Sequence, residues 1–234
     1  MKRVAIIQSN YIPWKGYFDI INSVDEFILY DDRQFTRRDW RNRNLIKTSE
    51  GLRWLTIPVQ VKGKFEQAIE ETMIDDSSWA EKHWKTIAQT YARAPHFRAF
   101  EASVEKLYAG ADSKRLSDVN RRFIEGICQV LGIETEIKWS SDYGASGDRT
   151  ARLVDLCEKA GAREYLSGPA ARAYIENDLF VAGGIDLIYM DYSGYPEYPQ
   201  LYGKFEHGVS VLDLIFNAGA DAPRFMKSFD VSAN

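Results

Sequence analysis

Several short apolar runs in this chain end abruptly in polar and aromatic residues. Gln8-Ser9-Asn10-Tyr11 follows the first, Asp31-Asp32-Arg33-Gln34 the second, and Ser167-Gly168 and Asp191-Tyr192 two later ones. Ligands of open parallel sheets bind outside the carboxyl ends of the strands, so these residues predict the rim of a cleft. Gln8, Asn10 and Asp31 would orient a substrate by hydrogen bonds, while Tyr11, Trp14 and Tyr17 offer rings for a base or sugar. The turn Gln8–Pro13 opens into a helix containing Gly16. Unpaired N–H groups at such a helix start attract phosphate or carboxylate. Packing explains the same residues equally well, since proline starts helices and glycine allows close approach. A second anion turn is Ser167-Gly168-Pro169-Ala170-Ala171-Arg172, with a hydroxyl, a permissive glycine and a guanidinium. An ordinary capping sequence with a surface arginine has the same composition.

Residues 33–47 are rich in arginine, with Gln34, Trp40, Asn42 and Asn44 interspersed and Arg43 and Lys47 near the end. Arginine presents a planar fork to phosphate, so this segment would close over a charged ligand, although charge runs are more often solvated faces. The histidines are His83, His96 and His207, and none shows metal-ligand spacing. His83 and His207 are the general-base candidates, His207 the better of the two, since His83 suits a structural place in its helix more than a catalytic one. No metal site is expected. The patterns of serine hydrolases, P-loop enzymes and standard dinucleotide folds are absent.

The elements that must position these groups follow from hydropathy patterning. Arg3–Ile7 predicts a buried strand, Trp14–Asn22 a helix and Glu26–Tyr30 a second strand, which together make a βαβ unit and require a parallel sheet. Asn44–Thr48 and Arg53–Val61 would pair as a hairpin. Helices are expected from Ser77 to about Ala94, over His96–Ala109 and over Ser117–Leu131. Alternation then resumes with strands at Glu134–Trp139, Glu164–Ser167 and Asp186–Tyr192, and helices at Thr150–Ala160 and Val209–Asn217. The expected fold is α/β, one domain over 1–234 with a helical subdomain about 77–131. Thirty basic against 34 acidic residues give a net charge of −4, which argues against a nucleic-acid coat. No run is long enough to span a membrane, and the start carries too few apolar residues for an export signal. Cys128 and Cys157 then read as small core residues of a cytoplasmic protein.

As a set, the residues resemble the WbqC-like protein family. The resemblance rests on Gln8-x-Asn10-Tyr11-x-Pro13-Trp14-x-Gly16-Tyr17-Phe18-Asp19, Tyr30-Asp31-Asp32-x-Gln34-Phe35 and Trp40-x-Asn42-Arg43-Asn44-x-Ile46-Lys47. It continues through Trp54-Leu55-Thr56-Ile57-Pro58-Val59, Tyr165-Leu166-Ser167-Gly168, Tyr198-Pro199-Gln200 and Ser210–Asn217 with Gly219. It implies a bacterial cytoplasmic protein of O-antigen or other surface-polysaccharide assembly, with glycine transfer to a sugar as a suggested activity. A weaker, fold-level resemblance links Pro13-Trp14-Lys15-Gly16-Tyr17 to the HxGH segment of HIGH-type nucleotidyltransferases, and Ser167–Arg172 to their phosphate turn. Trp14 and Tyr17 stand where that family places its histidines.

Together the resemblances imply a Rossmann-like parallel sheet of the HIGH-nucleotidyltransferase type with a helical insertion. The enzyme they imply joins an amino acid or acyl donor to a nucleotide sugar or amino sugar, through an adenylate made from ATP with Mg²⁺. In that scheme Arg43 and Lys47 offset charge, and His83 or His207 takes the amine proton. The alternative is a degenerate nucleotidyltransferase that only binds a nucleotide or nucleotide sugar.

Overall fold

The computed structural model describes residues 1–229; residues 230–234, the end of the expected domain, lie outside it. In chain order the elements are β1 (Arg3–Ile7), α1 (Lys15–Asn22), β2 (Glu26–Leu29), β3 (Arg43–Thr48), β4 (Gly51–Thr56), α2 (Trp79–Tyr91), α3 (Phe97–Ala109) and α4 (Leu116–Leu131). They continue with β5 (Glu136–Trp139), α5 (Arg149–Lys159), β6 (Glu164–Ser167), α6 (Asn177–Ala182), β7 (Asp186–Tyr189) and α7 (Val211–Ala218).

The uncharged run Val4–Ile7 pairs in parallel with β2, Val4 lying opposite Glu26 and Ile7 opposite Leu29. β5 adds to the far side of β2, and β6 and β7 extend the sheet beyond β1, all in parallel. The resulting order β5-β2-β1-β6-β7 turns outward in both directions from β1. This is the Rossmann-like arrangement, and its direction of winding reverses between β1 and β6. A crevice must open there at the carboxyl ends, because the crossovers on either side leave in opposite directions.

Strand alternation divides the core between the two sheet faces. Ala5, Phe27 and Leu29 pack with α1, the helices α2–α4 and α7, through buried rings such as Phe18, Phe123 and Phe216. Val4, Ile6 and Ile28 face the other way, onto Leu153 and Leu156 of α5 and Phe180 of α6. Cys128 and Cys157 are free and buried, one in each cluster. The hairpin and α2–α4 all lie within the single crossover from β2 to β5. Gly132 ends α4 at φ 74°, with Ile133 N–H donating to the Cys128 carbonyl at 2.9 Å.

Two expected strands are shorter than their sequence pattern. β4 stops at Thr56 rather than running to Val61, because Pro58 has no N–H to continue a ladder. β7 stops at Tyr189 rather than Tyr192, and Asp191 turns the chain by accepting from Ser193 N–H at 2.9 Å. The short helix α6 has too few residues to show a helical period.

Ion pairs hold the amino-terminal end of the sheet. Buried Glu26 accepts from Lys2 at 2.9 Å, Lys138 at 3.1 Å and the Tyr143 hydroxyl. Burial pushes its pKa up, but these three bonds outweigh burial and hold it below the ordinary value. A carboxyl depressed on folding contributes stability above its unfolded pKa and loses it as pH falls through the folded one. Glu26→Gln is therefore expected to cost about 2 kcal/mol at pH 7, discounted for the half-exposed lysines. The difference between urea melts of the two proteins should begin to shrink as pH falls below about 4.3, the unfolded value, and close once pH is below the depressed folded one.

Candidate active site

The carboxyl ends of β1, β2 and β6 border a cavity of about 890 Å³. That volume falls within the range of small-molecule sites. Its wall includes Gln8 and Asn10 after β1, Tyr30, Arg33 and Gln34 after β2, and Ser167 and Gly168 after β6. Trp14 and Tyr17 of the α1 region, Trp40, Arg41, Arg149, Tyr174, Glu176 and Tyr192 add further polar and aromatic lining.

The turn between β1 and α1 shapes this wall, and its backbone is strained. Ile12, fully buried, sits at φ 37°, a conformation that β-branched residues rarely adopt and that a following proline makes less favourable. Elements from across the fold hold it. Ser9 N–H donates to Asp31 at 2.7 Å, and Asn120 of α4 donates to the Ser9 hydroxyl at 2.9 Å. Tyr11 N–H donates to the Trp40 carbonyl at 3.1 Å, while Asn44 of β3 donates to the Tyr11 carbonyl at 3.0 Å. The Tyr11 hydroxyl bonds His83 Nδ1 of α2 at 2.9 Å and the Tyr108 hydroxyl of α3 at 2.8 Å. Val211 N–H at the start of α7 donates to the Pro13 carbonyl at 2.9 Å.

Several sequence candidates thus meet around the turn without lining the cavity. Tyr11, Asn44, Asp31 and His83 are buried clamps of its backbone. Asn42 donates to the Ile57 carbonyl at 2.8 Å, and Lys47 donates to Gln200 at 2.7 Å. Arg43 lies over the Trp54 ring at 4.0 Å, and exposed Arg172 lies over Tyr189 at 4.5 Å. His207 is exposed beside Phe205. At Gly16, a Cβ would come within 2.3 Å of the Trp14 indole, so the missing side chain makes room for that ring. Tyr192 and Tyr195 pack edge-on to Trp14 at 5.0 and 5.6 Å. An aromatic cluster therefore occupies the side of Gly16 where the sequence allowed an anion. Gln8, Asn10, Trp14, Tyr17, Gln34, Ser167 and Gly168 do line the cavity.

Three guanidiniums line it as well. Arg33 pairs with Asp32 at 3.0 Å, and Arg41 donates to the Gln8 carbonyl at 3.2 Å. Exposed Arg149 begins α5 at φ 41°, a second strained residue on the same wall. The Asn10 Oδ1, Arg33 Nε and Arg41 Nε atoms have no hydrogen-bond partner among the described residues. Sequence reasoning singled out none of Arg149, Tyr174 and Glu176. The signal that could have found Arg149 is the strand-end rule applied to β5, whose carboxyl end leads through the 140s into α5.

Burial lowers the His83 pKa to about 4, so the ring is neutral at pH 7 and its hydrogen bond to Tyr11 involves no charge. The unfolded chain takes up that proton near 6.5, so stability is full above pH 6.5 and falls as pH drops toward 4. His83→Gln is expected to flatten this part of the pH–stability curve. Tyr11→Phe should cost about 1–3 kcal/mol by leaving His83 and Tyr108 without their shared hydroxyl. Denaturant melts between pH 4 and 8 check both.

Comparison with known proteins adds a relationship but no established activity. A Mycobacterium tuberculosis protein named "Uncharacterized protein Rv1507c" is 51% identical over 227 residues, 97% of this chain and 98% of that protein. No solved structure matches. The model of the WbqC-like protein family matches residues 8–225, which span the β1–α1 turn, the crossover helices and the cavity wall alike. On that near end-to-end match, the chain belongs to the WbqC-like protein family.

Proposed function

We propose that this protein is a transferase of bacterial surface-polysaccharide assembly, whose cleft seats a nucleotide-linked amino sugar. It joins an acyl or aminoacyl group, glycine among the candidates, to the sugar amine. The observation that carries this reading is the meeting of Arg33, Arg41 and Arg149 with Tyr30, Trp40, Tyr174 and Tyr192 at the sheet's switch point. Guanidiniums match a diphosphate in charge and shape, and flat rings match a base and a pyranose. A chain of net charge −4 lines this wall with three cations and one carboxylate, Glu176, while Asp32 and Asp39 pair with Arg33 and Arg41.

That carboxylate also supplies the proton acceptor which neither His83 nor His207 offers from outside the cavity. As the sugar nitrogen attacks the acyl carbon, the C–N bond forms, the leaving group departs with its electron pair, and Glu176 takes the amine proton. Where the acyl group arrives as an adenylate, the donor carboxylate would displace pyrophosphate from ATP, with Mg²⁺ offsetting the phosphate charge, and AMP would be the leaving group of the transfer. The arginines then stabilise negative charge on the phosphate side.

A binding protein without turnover is the second reading. Trp14 over Gly16 favours it, because the indole fills space beside the helix start that HIGH-type enzymes line with imidazole.

Gly168 provides the test. It lies at φ −72°, ψ 150°, ordinary for any residue before a proline, and a Cβ there would meet no heavy atom within 4 Å. Gly168→Val is expected to melt within a few degrees of the parent and to bind UDP-N-acetylglucosamine at least tenfold more weakly by calorimetry. Unchanged affinity would remove the cleft from the account. Glu176→Gln should keep that affinity and lose amide formation with a UDP-linked amino sugar; equal turnover would defeat the catalytic role, and binding without turnover in both proteins would favour the second reading.

A further inference from the structure

Beside the cavity, the hairpin leaves two tryptophans partly in water. Trp40 and Trp54 are each 41% exposed, with ring centroids 5.3 Å apart and planes tilted by 41°. Leaving indoles in water forfeits part of the stabilisation that burial of a large apolar side chain would give. Core packing does not account for the pair.

Its surroundings are ordered for contact. Trp40 N–H donates to Asp39 at 2.7 Å and the Trp40 carbonyl accepts from Tyr11 N–H at 3.1 Å, which fixes the backbone on both sides. Trp54 is held on β4 opposite Leu45. The Arg43 guanidinium packs on the Trp54 ring at 4.0 Å and donates to the Arg38 carbonyl. Trp40 belongs to the cavity wall and to this outer pair at once, so a ligand in the cavity can extend onto the pair without crossing open solvent.

We infer that Trp40, Trp54 and Arg43 form a second subsite, which stacks a pyranose ring of an acidic oligosaccharide at the mouth of the cleft. A sugar ring has an apolar C–H face that matches an indole, and the Arg43 guanidinium beside it supplies positive charge for a carboxylate, with one Nη already donating to the Arg38 carbonyl. The size of the patch favours a sugar over a protein. Two indoles exposed to this degree present about 100 Å² each, against about 800 Å² per partner in a stable protein interface. The inference extends the proposed function by naming the kind of glycan that the cleft adjoins, but its binding step does not require that reading.

Tryptophan fluorescence of the full-length protein, titrated with a hyaluronan hexasaccharide, tests the subsite. The expected result is saturable quenching, weakened at least tenfold in Trp54→Ala and largely retained in Trp54→Phe. Trp54 does not line the cavity, so Trp54→Ala should bind UDP-N-acetylglucosamine within twofold of the parent and melt within a few degrees of it. Absence of saturable quenching in the parent, or equal affinity in Trp54→Ala, overturns the inference. A parent that sediments as a dimer, with Trp54→Ala monomeric, overturns it in favour of a protein interface. Failure of nucleotide-sugar binding with hexasaccharide binding intact would defeat the proposed function and leave this subsite standing.

Discussion

A buried isoleucine held at φ 37° directly before a proline is the constraint on which the arrangement of this protein depends. Backbone of this kind costs on the order of 1–3 kcal/mol and persists only where its surroundings overdetermine it. Here they do. Side chains or amides from α2, α3, α4, β3 and α7 converge on six residues, Gln8 to Pro13, and the Tyr11 hydroxyl alone joins two helices. The same fixed turn sets Gln8, Asn10 and Trp14 along the cavity wall. The long crossover between β2 and β5 thus has a physical purpose beyond filling volume: it supplies most of the groups that hold the turn.

The two ends of the parallel sheet have opposite characters. At the amino end, Glu26 is matched by two lysines and a tyrosine, and Arg3 pairs with Glu164 at 2.5 Å. Charge there is neutralised within the protein. At the carboxyl end, Arg33 and Arg41 pair with Asp32 and Asp39, Arg149 has no ion-pair partner among the described residues, and Asn10 keeps a buried oxygen without a hydrogen-bond partner among them. Ile12 and Arg149, two of the four non-glycine residues at positive φ among the described residues, belong to this same end.

Much of the frame was legible in the sequence because its signals are local. The apolar strand, polar turn and amphipathic helix of residues 3–29 appear within a residue or two of their expected limits, and the three crossover helices within about three. The strand-end rule located Gln8, Asn10, Ser167 and Gly168 on the cavity wall without any knowledge of contacts. Roles within that neighbourhood were not legible. Tyr11, Asn44 and His83 are polar and near the right place, yet each faces inward to clamp backbone, and inward or outward aim depends on contacts 33 to 97 residues away in sequence. Gly16 shows the same limit, since only the fold reveals that a neighbouring indole takes the space it leaves. Arg149 and Glu176 sit near helix starts far from the arginine-rich segment, and nothing local marks them as its companions.

A crystal of the protein grown with UDP-N-acetylglucosamine addresses the central claim directly. The account predicts density for the diphosphate among Arg33, Arg41 and Arg149, with the sugar nucleotide passing close to Gly168 and an aromatic ring against the base. Density for the nucleotide elsewhere on the surface, with this cavity filled only by water at saturating ligand, would contradict it.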